Sequence, residues 1–258
     1  MWALLGYIAL FLVSQGVAGL VLYLLNELSV VYPVLTCFSQ NTFLAFSLFV
    51  GAIFVLVVLA LKRRLRVEDI SFVRVSIPYY IYIFLMMLPA IVALNILTEQ
   101  FHLPDHTASV ALELMHHPLG IITIVLMAPL TEELIFRAGI QRVLLQRGVR
   151  SIWVILCSSF LFALVHANPA QIPVAMMMGV LFGWLYVRTG SIWPCVFAHV
   201  VNNGMGVLTA QLFPDPDITL SQLLGGGVVL WTTFFVSVCM FWVVFYVFYK
   251  KTACVQNL

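Results

Sequence analysis

The sequence predicts an all-α membrane protein, a polytopic helical bundle of about eight transmembrane helices with both termini in the cytoplasm. Three observations support this prediction: the composition, the length of the apolar segments and the distribution of the basic residues. Of the 258 residues, 63% are apolar and only 9% are charged, and the mean hydropathy is +1.10. A soluble domain carries about 25% charged residues. Lipid rather than water is therefore expected to surround most of this chain.

Eight apolar segments are candidates for membrane-spanning helices. Most are close to the ~20 residues that a helix needs to cross a bilayer, and turn-forming residues such as Pro104, Pro118 and Gly190 separate them. The first has no basic flank and is too long for a signal peptide, so we interpret it as a retained span. The predicted spans are residues 2–25, 41–61, 76–98, 119–146, 151–166, 170–188, 191–212 and 223–249.

The fifth predicted span is too short to cross the membrane alone. Its apolar core, residues 152–165, is about 21 Å long at 1.5 Å per residue, whereas the hydrocarbon core is ~30 Å thick. The polar turn that follows, residues 166–171, contains a proline. Irregular backbone is tolerated at membrane depth only where it lines a cavity or packs against protein. A water-accessible pocket is therefore expected near this turn.

The basic residues predict the orientation of the bundle. With eight spans, eleven of the twelve Lys and Arg residues fall on one side, which the positive-inside rule assigns to the cytoplasm. The other one, Arg137, lies inside a span, and the opposite loops carry only acidic charges. The residues of the predicted cytoplasmic side are Lys62, Arg63, Arg64, Arg66, Arg74, Arg142, Arg147, Arg150, Arg188, Lys250 and Lys251. The strict asymmetry and short loops favour a bacterial inner (cell) membrane.

Composition also limits the function. The formal net charge of +2 gives no reason to expect a nucleic-acid partner. The five cysteines are scattered and form no CxxC pair, so neither disulfides nor a thiolate metal site are expected. No soluble segment or internal repeat is visible, and residues 1–258 are predicted to form one membrane domain. Its expected partners are membrane lipids and a substrate or ligand that reaches the membrane.

Three charged residues lie within the fourth predicted span, in the segment Thr-Glu-Glu-Leu-Ile-Phe-Arg. A charged side chain in the middle of a bilayer costs roughly 2.5–3.5 kcal/mol on insertion scales. Glu133 and Arg137 are four residues apart, so they share a helix face and can pair. Glu132 points elsewhere and has no partner in the local sequence. An unpaired intramembrane carboxylate indicates a functional site, although this stretch could also be a helix end that reaches water.

Two further clusters of polar residues lie on other predicted spans. His166 ends the fifth span, and His199 and Asn203 lie four residues apart on the seventh, so they project from one face. Taken separately, they could be an interfacial histidine and a hydrogen-bonded contact between helices. Together with Glu132, they supply a general base, proton carriers and hydrogen-bond donors for an oxyanion.

These three clusters resemble the motifs of the CPBP (CAAX protease and bacteriocin-processing, or Abi) family of intramembrane proteases. The family motifs EExxxR, FxxxH and HxxxN/D are matched by Glu132-Glu133-xxx-Arg137, Phe162-xxx-His166 and His199-xxx-Asn203. The resemblance covers about residues 121–209, which would form the catalytic core. Residues 1–118 and 213–258 would be accessory transmembrane helices. One departure is Ala138, where many members have glycine.

The resemblance implies hydrolysis of a peptide bond in or beside the membrane. Glu132 would activate water together with His166, while His199 and Asn203 would stabilise the oxyanion. Glu133 would belong to the catalytic set and be held by Arg137, and Phe162 would be a supporting residue. No cofactor is expected, although His166, His199 and Glu132 could also bind Zn²⁺ in a metal-dependent version of the reaction.

Two other functions remain open at this stage. A peptide-binding or bacteriocin-immunity membrane protein could have the same fold without catalysis, and it would tolerate Glu132→Gln. A transporter could use Glu132 and the histidines as a proton relay, but the related halves expected of a transporter are not visible. For a protease, the expected substrate is a peptide or the tail of a membrane protein.

Overall fold

The computed structural model describes residues 2–62, 75–215 and 218–252, which form an α-helical bundle without a β-strand. Ten helices follow one another along these residues, and a 3-10 helix, Pro33–Cys37, lies between the first two. They are α1 Trp2–Val31, α2 Gln40–Leu61, α3 Ile77–Glu99, α4 Ala108–His116, α5 Pro118–Gln146, α6 Ser151–Leu164, α7 Gln171–Thr189, α8 Trp193–Leu212, α9 Leu220–Leu223 and α10 Gly227–Thr252.

The predicted all-α membrane bundle is confirmed. Each of the eight predicted spans corresponds to one helix. Within the described ranges, six helices are long and apolar enough to cross a membrane: α1, α2, α3, α5, α7 and α10. The 14-residue α6 is shorter, and α8 is less apolar because it carries the His199 and Asn203 motif. The number of membrane crossings and the cytoplasmic location of both termini stay predictions.

Large apolar side chains cover the outside of the bundle. Leu20 on α1 is 57% exposed, and Val228 and Trp242 on α10 are 83% and 58% exposed. Contiguous apolar surface of this kind is expected where a protein meets lipid rather than water. The chain is a multi-pass integral membrane protein.

The two ends of the bundle differ in charge. We call them the acidic end, at which α1, α3, α6 and α8 finish, and the basic end, at which α2, α5, α7 and α10 finish. The described charged residues of the acidic end are Glu27, Glu99, Asp105, Glu113 and Asp215, and those of the basic end are Lys62, Arg142, Arg147, Arg150, Arg188, Lys250 and Lys251. Outside the described residues lie four of the basic residues of the predicted cytoplasmic side, one acidic residue of the opposite loops and one of the five cysteines: Arg63, Arg64, Arg66, Arg74, Asp217 and Cys254.

The helix that carries the paired glutamates, α5, is not a regular α-helix. Its segment Thr123–Met127 has π-helical geometry, in which the amide of Ala128 donates to the carbonyl of Thr123, five residues back. The next bond of this type would need an N–H from Pro129, which proline does not have. The carbonyl of Ile124 therefore lacks that partner and needs another donor.

The middle of α5 packs against α7 through two glycines. Arg137 donates from Nη2 to the carbonyl of Gly179 at 3.0 Å, and Gln141 donates from Nε2 to the carbonyl of Gly183 at 2.8 Å. A Cβ atom on Gly179 would lie 3.1 Å from the Cβ of Ser159 on α6. Glycine therefore permits a close approach of three helices, and Arg137 and Gln141 are fully buried among them.

Candidate active site

A cavity of about 490 Å³ lies among α3, α4, α5, α6, α7 and α8 and reaches the acidic end of the bundle. We call it the main cavity. Its volume is within the range of about 300–1,000 Å³ that is usual for ligand sites. The polar residues that line it are Asn95, Asp105, Glu132, His166, Gln171, His199, Asn202 and Asn203. The structure thus brings one or more residues from each of the three sequence motifs to a single cavity.

His199 lies between the two adjacent glutamates. Its Nδ1 donates to Oε1 of Glu133 at 2.9 Å, and its Nε2 is 3.8 Å from Oε2 of Glu132. The other oxygen of Glu133, Oε2, is 3.1 Å from Nε of Arg137, so the ion pair expected from the four-residue spacing is present. The side chains of Glu133 and Arg137 have no exposed surface, whereas that of Glu132 is 16% exposed. Glu133 therefore orients His199 from behind, and Glu132 faces the cavity.

Two phenylalanine rings hold this set of charged groups in place. The guanidinium of Arg137 lies 4.8 Å from the ring centre of Phe162 and 5.7 Å from that of Phe182, within cation–π distance. The imidazole of His199 stacks on Phe182 at 5.0 Å and contacts Phe162 edge to face at 5.7 Å. Phe162 is the aromatic residue of the FxxxH motif. Phe182 had no distinguishing signal in the sequence beyond its place in an apolar helix.

His166 follows the end of the short helix α6 and lines the main cavity. Its Nδ1 contacts the carbonyl of Phe162 at 2.8 Å. A carbonyl can only accept a hydrogen bond, so Nδ1 carries the proton and Nε2 of the neutral ring has a lone pair. The next residue, Ala167, has a φ of +51°, which redirects the chain immediately after the histidine. The short helix and this turn explain how His166 reaches the same cavity as Glu132.

The turn after His166 is attached to the loop before α4 by what we call the loop clamp: Asp105, Thr107 and Asn168. Asn168 is 1% exposed, and its Nδ2 donates to Oδ1 of Asp105 at 2.8 Å and to Oγ1 of Thr107 at 2.7 Å. Burial raises the pKa of Asp105. The hydrogen bonds from Asn168 and Thr107 outweigh this effect and hold the pKa of Asp105 below its ordinary value of 3.8. The clamp is therefore strongest when Asp105 is ionised.

Asn203 supports the distorted part of α5. Its Nδ2 donates to the carbonyl of Ile124 at 2.9 Å, the carbonyl that Pro129 leaves without a π-helical partner. Nδ2 of Asn202 donates to Oδ1 of Asn203 at 3.1 Å. Because a carboxamide has two N–H groups, Asn203 can hold Ile124 with one of them and still offer the other to the main cavity.

The donor set does not form a closed metal site. Across the described ranges, no three His, Cys, Asp or Glu side chains converge as ligands of one ion do. Both nitrogens of His199 face carboxylates, at 2.9 and 3.8 Å. A histidine whose second nitrogen donates to a carboxylate is also common among metal ligands. Binding of Zn²⁺ by His166, His199 and Glu132 therefore stays a prediction that a metal-removal experiment can test.

Sequence reasoning singled out residues at the centre of the main cavity but not those at its rim. Glu132, His166, His199 and Asn203 line the main cavity, and Glu133, Arg137 and Phe162 lie directly behind it. Asp105, Asn168 and Phe182 were not singled out. Asn168 had a signal, because a polar turn beside a short span must satisfy its hydrogen bonds internally. The clamp joins Asp105 and Asn168, which are 63 positions apart in the sequence. Local sequence patterns do not indicate contacts over such a separation.

The membrane bundle carries the three motifs of the CPBP family of membrane proteases, in α5, at the end of α6 and in α8. The predicted resemblance is confirmed by comparison with known proteins: residues 115–205 match the family of type II CAAX prenyl endopeptidase Rce1-like proteins. This segment is close to the predicted core, residues 121–209. No solved structure matches the chain.

Three proteins that are named as membrane peptidases or CAAX proteases are similar to this chain. The chain is 36% identical to YdiL of Bacillus subtilis, a candidate membrane peptidase, over 44% of this chain and 48% of that protein. It is 34% identical to the membrane-embedded CAAX protease MroQ of Staphylococcus aureus, over 38% and 42% of the two chains. It is 32% identical to CAAX prenyl protease 2 of Arabidopsis thaliana, over 40% and 39%. The match spans less than half the length of each relative. Two of the three are bacterial, in agreement with the predicted membrane.

Proposed function

We propose that this protein is an intramembrane endopeptidase in which Glu132 activates a water molecule. The observation that carries the proposal is the different environment of the two adjacent glutamates. Glu133 is fully buried between Arg137 and His199, whereas Glu132 faces the main cavity that His166 also lines. A carboxylate that meets a wet cavity inside a membrane protein is suited to take a proton from water.

The proposed reaction uses the groups of the main cavity in turn. Glu132, assisted by Nε2 of His166, takes a proton from water, and the hydroxide oxygen forms a bond to the carbonyl carbon of the substrate. His199, protonated on both ring nitrogens so that Nε2 can donate while Nδ1 bonds to Glu133, and the second N–H of Asn203 stabilise the oxyanion of the tetrahedral intermediate. The C–N bond then breaks, and the leaving amine takes the proton from Glu132 or His166. The products are a carboxylic acid and an amine, and water is the only other reactant.

The relatives suggest which substrates to test. Two of them are named CAAX proteases, so a C-terminal peptide with a lipid-modified cysteine is one class. An unmodified membrane peptide or the tail of a membrane protein is the other. The cavity reaches the acidic end of the bundle, whereas Glu132 lies in the middle of α5. A peptide that is cut beside Glu132 would therefore enter from the acidic end and extend into the bundle.

The experiment compares the purified full-length protein with Glu132→Gln on both substrate classes. Glutamine has nearly the same shape but cannot take a proton, so we expect kcat to fall by about 10²–10⁴. Glu113→Gln, on the exposed face of α4, is the matched control and should retain full activity. Activity that survives in Glu132→Gln would reject the glutamate mechanism. Equal peptide binding by both proteins without any cleavage would favour the peptide-binding or immunity function.

The proposal includes the absence of a metal from the reaction. Treatment of the purified protein with a strong chelator should leave the cleavage rate unchanged. Loss of activity on chelation, followed by recovery with Zn²⁺, would instead assign Glu132, His166 and His199 as ligands and support the zinc-dependent version of the same protease.

A further inference from the structure

A second cavity, of about 200 Å³, adjoins the main cavity. Glu132 and Ile124 line both cavities, so the two cavities meet at these residues. The rest of the second cavity is enclosed by α1, α2 and the first half of α5. Helices α1 and α2 lie outside residues 115–205, the segment that matches the family. This cavity is therefore built largely by the accessory part of the chain.

Three of the polar residues that line the second cavity turn their donors away from it, and the other two are Gln15 and Glu132. The hydroxyls of Ser14, Thr123 and Thr131 each donate to a carbonyl of their own helix, at 2.6, 2.8 and 2.9 Å. Most of the remaining lining is hydrocarbon. A bound water needs two to four polar partners, so this lining suits an apolar group better than a chain of water molecules. The apolar lining residues are Phe11, Ala18, Leu48, Ala52, Val55 and Ala128.

Close packing of α1 against α2 fixes the walls of the second cavity. A Cβ atom on Gly51 would lie 2.9 Å from the carbonyl oxygen of Ser14 and 3.2 Å from the Cβ of Ala18. The two backbones therefore touch beside the cavity and cannot move closer together to fill it. The small side chains of Ala18 and Ala52 leave this space open in an otherwise well-packed interface.

The position of the second cavity relative to Glu132 indicates its occupant. In an extended peptide, successive side chains point to opposite sides. When a scissile bond lies beside Glu132, a side chain that flanks the bond on one side remains in the main cavity, and its neighbour points past Glu132 toward the second cavity. A volume of about 200 Å³ is below the ~300 Å³ of the smallest usual ligand pockets, so it suits part of a ligand rather than a whole one.

We propose that the second cavity is a specificity subsite that receives one apolar side chain, of the size of Leu, Ile, Met or Phe, from a residue next to the scissile bond. This inference rests on the proposed protease function. It makes α1 and α2 part of the substrate site, and it defines a substrate class, peptides with a large apolar residue at one position beside the cut.

The test uses the full-length protein in lipid nanodiscs and a synthetic library of membrane-anchored peptides with all residue types on both sides of the cut. Mass spectrometry of the products gives the residue preference at each position. Ala52→Leu fills the subsite, Leu48→Ala enlarges it, and Ala60→Leu on the exposed face of α2 is the matched control. Melting temperatures in the same nanodiscs show that each variant is folded.

We expect the wild-type protein and Ala60→Leu to prefer a large apolar residue at one position. Ala52→Leu should lower kcat/KM for such peptides by about 10-fold or more, while it leaves peptides with Ala or Gly at that position within about 3-fold. Leu48→Ala should shift the preference in the opposite direction, toward Phe and Trp. The two variants are expected to change the preferred side-chain size in opposite directions. General damage to the fold would not produce this pattern.

The failures of the two proposals can be told apart. Absence of cleavage by the wild-type protein would overturn the protease function and the subsite with it. Cleavage with the same residue preference in the wild-type protein, Ala52→Leu and Leu48→Ala would overturn the subsite alone. An equal loss of rate for large and small side chains in Ala52→Leu would also overturn it, because the cavity would then serve water access or packing.

Discussion

At the scale of single residues, the two adjacent glutamates differ in what surrounds them rather than in chemistry. Glu133 bonds to Arg137 and His199 and has no exposed surface, whereas Glu132 faces the main cavity. Burial of an ion pair is favourable only if both partners remain. Glu133 therefore holds the ring of His199 in place, and Arg137 neutralises the buried charge of Glu133.

Removal of Arg137 alone should be more damaging than removal of both charges. Arg137→Met leaves Glu133 buried without a counter-charge, which costs about 3–5 kcal/mol. We expect a large fall in the melting temperature of Arg137→Met. The double variant Glu133→Gln/Arg137→Met should recover part of that loss without recovering activity, because His199 then lacks its carboxylate. A double variant as unstable as the single one would show that the ion pair does not account for the destabilisation.

Asn203 is expected to matter for stability as well as for catalysis. Asn203→Ala removes the donor to the carbonyl of Ile124, a loss of roughly 1 kcal/mol, and it removes an oxyanion donor, which typically costs about 10²–10³ in kcat. Melting temperature and kcat should both fall. Asn202→Ala, which removes a polar side chain from the cavity lining and a contact to Asn203 but leaves the bond to Ile124, is the control and should have a smaller effect. An unchanged melting temperature with a reduced kcat would restrict Asn203 to substrate contact.

At the scale of helices and loops, the loop clamp connects a surface loop to the turn that carries His166. Asn168→Ala removes the two hydrogen bonds that Asn168 donates to the loop, to Asp105 and to Thr107. The turn contains Ala167 in a left-handed conformation that costs about 1–2 kcal/mol for a residue other than glycine. We expect faster hydrogen exchange of the amides of residues 165–170 in Asn168→Ala, together with a lower kcat. Gln100→Ala, in the same connection, provides the control. Exchange that is no faster than in the wild-type protein would rule out this role of the clamp.

The clamp should also weaken in acid. The pKa of Asp105 is lowered in the folded protein relative to its ordinary value of 3.8. Its stabilising contribution is therefore complete above pH 3.8 and is lost as the pH falls through the lower, folded-state pKa. Melting temperatures measured from about pH 5 down to about pH 3 should fall less steeply in Asp105→Ala than in the wild-type protein. Identical slopes would show that Asp105 does not contribute to the acid sensitivity.

The sequence predicted helices more completely than it predicted contacts between them. Hydrophobic segments and breakers located eight helices, and the spacing of Glu133 and Arg137 predicted their ion pair. The surface helix α4 was missed because its nine residues lie between prolines in a polar loop. The bond from Asn203 to Ile124 was missed because it joins residues 79 positions apart. Pro129 was a local signal for that bond, since a proline inside a helix leaves a carbonyl without a donor.

At the scale of the whole molecule, the position of the main cavity sets the side on which a substrate would be cut. The cavity is lined by Asp105 and Gln171 and so reaches the acidic end. The basic end carries every described Lys and Arg outside the membrane core, and the positive-inside rule assigns that end to the cytoplasm. If the rule holds for this chain, the site meets substrates from the outer side of the membrane.

The cysteines of the chain allow this orientation to be measured. Cys37, in the 3-10 helix at the acidic end, is exposed, whereas Cys157 and Cys239 lie on exposed faces in the middle of apolar helices. Only a thiol in contact with water forms the reactive thiolate. In intact cells, with Cys254 replaced by serine, a membrane-impermeant maleimide should therefore label Cys37, and Cys37→Ser should abolish the labelling. Ser151→Cys at the basic end, placed in Cys37→Ser, should react only after the membrane is permeabilised. The reverse pattern would place the acidic end, and with it the mouth of the main cavity, in the cytoplasm, where the carboxyl-terminal tails of cytoplasmic proteins would become the accessible substrates.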